Sequence, residues 1–300
     1  MSLSIKAAAE LIRAGNLVAF PTETVYGLGA NALDAAAVAK IYELKGRPAS
    51  SPCIVHVSSI EMARTLVGDW PSAAEELARR YWPGPLTLVL PKAPVIPDIV
   101  TAGLPTVGVR VPSHPTALKL IEEAALPIAA PSANRFGGLS PTTAEHVRRA
   151  FGDAVEILDG GPTEVGIEST VASLVGGKLT LLRPGMISLG GIELAPASGE
   201  SAHPAPGMHA RHYSPCTRLL LVESPAELPD RRGAYLWRKM PGLASRSVRM
   251  PDQPAEYAER LYRVLHELDQ ERWPWIAVEA PPDAPEWCAI LDRLQRAAAK

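Results

Sequence analysis

The residues best placed to do chemistry are cations whose backbone positions are tightly set. Lys45 and Arg47 flank Gly46 and precede Pro48, so a glycine and a proline hold a point-charge ammonium beside a planar guanidinium fork. Cations at a helix C-terminus are commonly surface charges that offset the helix dipole. At this fixed spacing, however, the pair can also hold a triphosphate without a glycine-rich cradle. Arg110 sits in Val107-Gly108-Val109-Arg110-Val111, where a buried charge is costly without an anion and good hydrogen bonds. It therefore points to a carboxylate or phosphate partner. His56 interrupts the apolar run Ile54-Val55-His56-Val57, a place usually held by a satisfied structural histidine. Ala130-Pro131-Ser132-Ala133-Asn134, Gly138-Leu139-Ser140-Pro141 and Glu168-Ser169-Thr170-Val171 set small hydroxyl residues at expected strand ends, where loops present groups to ligands. Each alone is also an ordinary turn or cap.

Several other chemistries are disfavoured. Gly27-Leu28-Gly29-Ala30-Asn31-Ala32 fits the alanine-ended dinucleotide fingerprint, but the segment from Pro21 to Tyr26 separates it from the preceding strand. A nicotinamide-linked oxidoreductase is therefore not expected. There is no P-loop glycine-lysine stretch and no Gly-x-Ser-x-Gly elbow. His209 and His212 have metal-like spacing without a third ligand cluster, so no zinc is expected. The net charge of −2 lacks the basic footprint of a nucleic-acid binder. Cys53, Cys216 and Cys288 lie too far apart for a disulfide framework and read as reduced packing residues. The opening residues show no signal-peptide pattern and no apolar run reaches membrane-spanning length, so a cytoplasmic protein is expected.

The elements that must position these groups follow from periodicity. With 300 residues, 47% of them hydrophobic, two domains are the working expectation. A helix over 4–14 is capped by Ser4, a strand over 17–20 ends at Pro21, and a helix from Asp34 runs to Gly46. Residues 21–31 between them read as a loop. Further strands are expected over 53–57, 86–90, 106–111, 127–130 and 155–158. Capping boxes Ser72/Glu75 and Thr142/Glu145 mark two helices. A hairpin over 169–183 turns at Gly176-Gly177, which makes the sheet mixed. Residues 195–215 lack periodicity and read as an interdomain linker. Strands over 218–222, 233–237, 247–250 and 275–279, with the stripe Tyr257, Leu261, Val264, Leu265 and Leu268, suggest a small α/β domain whose stripe is core.

Taken in order, these segments resemble the Sua5/YrdC/YciO family in its two-domain Sua5 type. The resemblance runs through Pro21-Thr22-Glu23-Thr24-Val25-Tyr26-Gly27-Leu28, Lys45-Gly46-Arg47-Pro48, Ile54-Val55-His56, Trp82-Pro83-Gly84-Pro85-Leu86-Thr87, Thr106 to Arg110, the Ala130 to Asn134 and Ser140 to Thr143 stretches, Asp159-Gly160-Gly161, Glu168 to Val171 and Leu182-Arg183-Pro184-Gly185. It covers residues 5–190 strongly and continues through 206–215, while the final domain matches more weakly, best in 289–297. Two departures stand out: Ser51 where the family usually has Asn, and His209-Ala210 where Lys-Tyr is common.

The resemblance implies an α/β fold: an N-terminal YrdC-like twisted mixed-sheet domain (1–194), a linker acting as a lid (195–215) and a small Rossmann-like C-terminal domain (216–300). It implies a nucleotidyltransferase that makes threonylcarbamoyl-AMP and pyrophosphate from L-threonine, bicarbonate and ATP, with Mg²⁺ on the phosphates. Thr24, His56, Arg110, Ala130 and Ser169 would line the threonine pocket. Arg47, Ser51, Thr106, Ser132, Ser140, Arg183 and Tyr213 would contact ATP, with Lys45 and Arg47 carrying the catalytic charge. The product would pass to the transferase complex that modifies adenosine 37 of ANN-decoding tRNAs. A YrdC-type RNA-binding module remains the alternative, with weak RNA binding at this charge. A hydrogenase-maturation type of carbamoyl-adenylate enzyme would need zinc-finger-like and acylphosphatase-like regions that this chain lacks.

Overall fold

Local signals set most element ends. A computed structural model describes residues 3–190, 192 and 212–299. In α1 (Ile5–Arg13) the Ser4 hydroxyl accepts the Ala7 amide, and Ala8, Ala9 and Ile12 face inward. Then come β1 (Val18–Phe20) and β2 (Gly27–Asn31). α2 (Ala35–Lys45) is capped by Asp34 and closed by Gly46 in the left-handed region, φ 63°. β3 (Ile54–His56), α3 (Ile60–Arg64), α4 (Ser72–Tyr81), β4 (Leu86–Pro91), β5 (Thr106–Arg110), α5 (Pro115–Ala124) and β6 (Ile128–Ala129) follow. α6 (Ala144–Phe151), β7 (Glu156–Ile157), β8 (Thr170–Ser173) and β9 (Thr180–Arg183) complete the first sheet.

That sheet has the order β7-β1-β2-β6-β3-β5-β4-β8-β9 and is mixed, with β3 parallel to β5 and β4 to β8 but most other neighbours antiparallel. Successive strand residues face opposite sides. Val18 and Phe20 pack against α1 and α5 while Ala19 joins the larger core under α2 and α4. The result is a sheet with helices on both faces.

Beyond the undescribed stretch, β10 (Leu219–Val222), β11 (Ala234–Trp237), β12 (Arg246–Arg249), α7 (Pro254–Gln270), β13 (Ile276–Glu279) and α8 (Cys288–Ala298) form a second α/β unit. Its four strands are all parallel, in the order β10-β13-β11-β12. The stripe on α7 is core, since Tyr257, Leu261, Val264, Leu265 and Leu268 are all buried. That core also takes in Val25, Leu139, Ile167 and Tyr213, so apolar residues of the first unit pack into the second unit's core while the first unit's own main cores stay separate. Of the linker expected over 195–215, only 212–215 fall within the described residues. No helix among the described residues is long and apolar enough to cross a membrane.

Four expectations are corrected. Residues 27–31, read as part of a loop, form strand β2 between β1 and β6. Its glycines serve packing: a Cβ on Gly29 would lie 2.7 Å from Phe20 Cε1 and 2.9 Å from Ile128 Cγ2. The hairpin does not turn in two residues, because Ser173 pairs with Thr180 and Gly176 and Gly177 sit within a longer left-handed turn. Ser72 is the first residue of α4 rather than its cap, and Glu75 binds Arg64, Trp70 and Arg79 instead. The cap of α6 is Thr143, one residue beyond Thr142, and its hydroxyl accepts the His146 amide.

Candidate active site

The parallel pairing of β3 and β5 puts His56 directly beside Arg110 at the same strand ends. Arg110 is buried, and its guanidinium lies 2.7 Å from Glu23 Oε1. It also donates to Thr24 Oγ1 (3.0 Å) and the Gly84 carbonyl (3.2 Å). The charge that seemed to await a ligand anion thus already has an internal carboxylate. Thr24 is steadied in turn by Thr22, whose hydroxyl lies 2.8 Å away and donates to the Val25 carbonyl. Burial, and then the charge of Arg110, push the His56 imidazole down to about 3, so it is neutral at pH 7.

Gly46 lets the chain reverse after α2, so that both flanking cations point inward. Lys45 is buried, and its ammonium donates to the carbonyls of Ser132 (2.6 Å) and Asn134. Burial and the neighbouring Arg47 charge hold its pKa well below the usual lysine range. Arg47 donates to the carbonyls of Ser51 (3.2 Å) and Pro52 (2.9 Å) and lies 6.0 Å from the Phe136 ring centroid. Main-chain carbonyls therefore aim both cations, as a preorganised electrostatic site requires.

The third wall comes from β8, β9 and the start of the described C-terminal segment. Ser169 Oγ lies 2.8 Å from Thr87 Oγ1 and accepts from Arg183 at 3.1 Å, while Arg183 also donates twice to the Ser169 carbonyl. Gly185 makes this crossing possible, because a Cβ there would sit 2.3 Å from the Thr170 nitrogen. Glu168 accepts from Ser140 Oγ at 2.5 Å. Tyr213, buried with φ 60°, faces the same space.

These walls enclose one narrow cleft, in which about 50 Å³ admits the centre of a water-sized sphere. Thr24, His56, Arg110, Ala130 and Ser169 lie on its wall, as do Arg47, Ser132, Arg183 and Tyr213. Four expected residues are not among its lining: Lys45, Ser51, Ser140 and Thr106. Lys45 braces the Ser132 to Asn134 loop, the Ser51 carbonyl accepts from Tyr42 and Arg47, and Ser140 serves Glu168. Thr106 starts β5 while Arg110 ends it, about 13 Å away along the strand. Sequence reasoning missed Glu23, Glu168 and Arg293. The only hint was that each acidic residue sits inside a motif already singled out. Among the described residues no group of three or more His, Cys, Asp or Glu side chains could hold a metal ion.

Residues 10–185 match the Sua5_yciO_yrdC family model, described as "Telomere recombination". Residues 178–299 match Sua5_C, "Threonylcarbamoyl-AMP synthase, C-terminal domain". The chain is 44% identical to a threonylcarbamoyl-AMP synthase of Pyrococcus abyssi, over 98% of this chain and 93% of that one. It is 43% identical to a threonylcarbamoyl-AMP synthase of Bacillus subtilis, over 98% and 92%. The solved structure of P. abyssi Sua5 complexed with L-threonine superposes with a TM-score of 0.92 at 43% identity, covering 98% of this chain and 94% of that one.

Proposed function

This chain belongs to the Sua5/YrdC/YciO family in its two-domain Sua5 form, and from that premise we propose that it is an L-threonylcarbamoyladenylate synthase acting in tRNA t6A biosynthesis. The observation that carries the reading is the convergence of Arg110 and His56 on one wall of a cleft with Arg47 and Arg183 on others. Separate cations on facing walls suit an amino-acid carboxylate on one side and a nucleotide's phosphates on the other. Thr24, His56, Arg110, Ala130 and Ser169 hold threonine. Arg47, Ser132, Arg183 and Tyr213 contact ATP, with Lys45, Ser51 and Ser140 behind them and Thr106 the family-implied contact farthest from this cleft.

The threonine amine takes up bicarbonate carbon as a carbamate with loss of water. A carbamate oxygen then attacks the α-phosphate, and the bond to the β-phosphate oxygen breaks to release pyrophosphate. No protein nucleophile is needed. Catalysis comes from holding the reactants in line and from fixed cations facing the charge that builds on the leaving phosphates. Mg²⁺ enters with ATP as part of the substrate, bound by phosphates and water. Residues 1–194 form the catalytic domain and 216–300 the C-terminal domain in this proposal, with 195–215 a linker that acts as a lid and shields a labile carbamate and anhydride from water. The protein works in the cytoplasm and hands its adenylate to the tRNA threonylcarbamoyl transferase complex.

The test is direct. Purified protein is incubated with ATP, Mg²⁺, bicarbonate and each amino acid in turn, and the products are identified by mass. Threonylcarbamoyl-AMP and pyrophosphate with threonine alone are expected; ATP turnover without an adenylate product would overturn the reading.

A further inference from the structure

Glu168 lines the cleft, yet the groups that fix its carboxylate come from far along the chain. One oxygen accepts from Ser140 Oγ; the other accepts from Arg293 Nε at 2.7 Å and from the Tyr262 hydroxyl at 3.2 Å. Tyr262 lies on α7 and Arg293 on α8, both in the C-terminal unit. Arg293 is only 1% exposed. It also donates to the Pro184 carbonyl at 3.0 Å, next to Arg183, and lies 5.2 Å from the Tyr213 ring centroid. One guanidinium from the last helix thus touches the residue before Ser169, the residue after Arg183, and Tyr213 itself. The loop leading to Glu168 is pressed onto α7: a Cβ on Gly166 would lie 2.4 Å from the Ala258 carbonyl oxygen and 2.4 Å from Glu259 Cα.

We propose that Arg293, assisted by Tyr262, is a positioning residue for the nucleotide-binding wall of the cleft, so that docking of the C-terminal unit completes the active site. This rests on the synthase reading above and adds to it a task for the C-terminal domain. A carboxylate facing a cleft meant for phosphates repels them unless a cation holds and balances it. Without Arg293 the Glu168 anion keeps the Ser140 and Tyr262 hydroxyls but has no balancing cation, the Pro184 carbonyl loses a donor, and the clamp of Arg183 on Ser169 loses its backing. Coupling of this kind is reciprocal, so ATP also tightens the docking.

The test uses the full chain and the variants Arg293→Met, Arg293→Lys, Tyr262→Phe and the double variant Arg293→Met with Glu168→Gln. ATP and threonine dependences are measured separately, with calorimetric ATP affinity and hydrogen exchange of the amides of residues 166–170 and 182–183. Arg293→Met is expected to raise the ATP KM on the order of tenfold while the threonine KM moves by less than about threefold, with faster exchange in both segments. Tyr262→Phe shifts the same quantities less, and the double variant recovers part of the ATP loss because the unbalanced anion is gone. An unchanged ATP KM and unchanged exchange in Arg293→Met overturn the proposal, as does a double variant no better than the single. If Arg293→Met does not fold, Arg293→Lys and Tyr262→Phe decide by the same split between the two KM values. A wild-type protein that binds ATP but forms no adenylate removes the synthase reading alone; ATP affinity and exchange then still decide the positioning role.

Discussion

Arg110 and Glu23 form an ion pair 2.7 Å long with both side chains buried, so each keeps the other's charge from being stranded. Glu23→Gln should leave the guanidinium unbalanced and cost roughly 3 kcal/mol of stability, since removing one partner of a buried pair exposes the full desolvation penalty of the other. Threonine, whose carboxylate can replace the missing charge, should then stabilise this variant more than the wild type. Arg110→Ala should be destabilised similarly and need far more threonine for turnover, with no such rescue. Urea unfolding with and without threonine reads the stabilities, and turnover at rising threonine reads the requirement of Arg110→Ala. A Glu23→Gln protein as stable as wild type in the absence of threonine would end this account.

The Lys45 ammonium ties down the Ser132 and Asn134 carbonyls, and on the proposed reaction its charge also acts near the nucleotide. Lys45→Ala should therefore lower stability by about 1–3 kcal/mol, the cost of leaving buried acceptors unpaired. It should also cut pyrophosphate release by on the order of a hundredfold, as loss of a preorganised donor does. Arg47→Ala should give a comparable loss of turnover. Normal pyrophosphate release by a folded Lys45→Ala protein would remove its assigned role.

Gly29 is held to glycine by its neighbours in β2, not by a phosphate. Its missing Cβ would press on Phe20 and Ile128, two core side chains that cannot both retreat. Gly29→Ala should lose about 1–3 kcal/mol through overpacking while the folded fraction keeps its ATP KM. An ATP KM that rises with stability unchanged would return the glycine to a ligand-binding role.

That glycine marks where the sequence was legible and where it was not. α7 could be read because burial on one face leaves a repeating stripe, and β3, β4 and β5 because strands buried on both faces leave short apolar runs. β2 could not, because a Gly-Leu-Gly-Ala-Asn strand carries little β propensity and exists only through pairing with β1 and β6. In the cleft, Arg110 could be picked out as a charge among valines, but its partner Glu23 looked like any loop carboxylate. Arg293 was invisible for a further reason. Its contact with Glu168 closes across 125 positions of chain, and of the two arginines on α8 nothing in the local sequence says which one turns inward.

His146 on α6 and His266 on α7 stack with ring centroids 3.9 Å apart and planes 25° from parallel, joining the two units. Burial first, then the like charge of His266 and of Arg149 and Arg263, push His146 down to about 3. Burial first and then Arg149 push His266 down to about 4, against the opposing pull of the Ser140 carbonyl and Asp269. Both rings are therefore neutral in the folded state at pH 7, and their folded pKa values lie below the unfolded value near 6.5. Between pH 6.5 and about 4 the unfolded chain binds protons that the folded pair refuses, so stability is full above that window and falls as pH drops through it. Allowing for partial solvent screening, the loss from pH 7 to pH 5 should be on the order of 2 kcal/mol. Replacing both rings with Gln should make the profile shallower by that amount, leaving the share that His56 contributes in both proteins. Thermal unfolding of wild type and the double variant from pH 7.5 to pH 4.5 measures this directly, and parallel profiles for the two proteins would show that the acid sensitivity lies elsewhere.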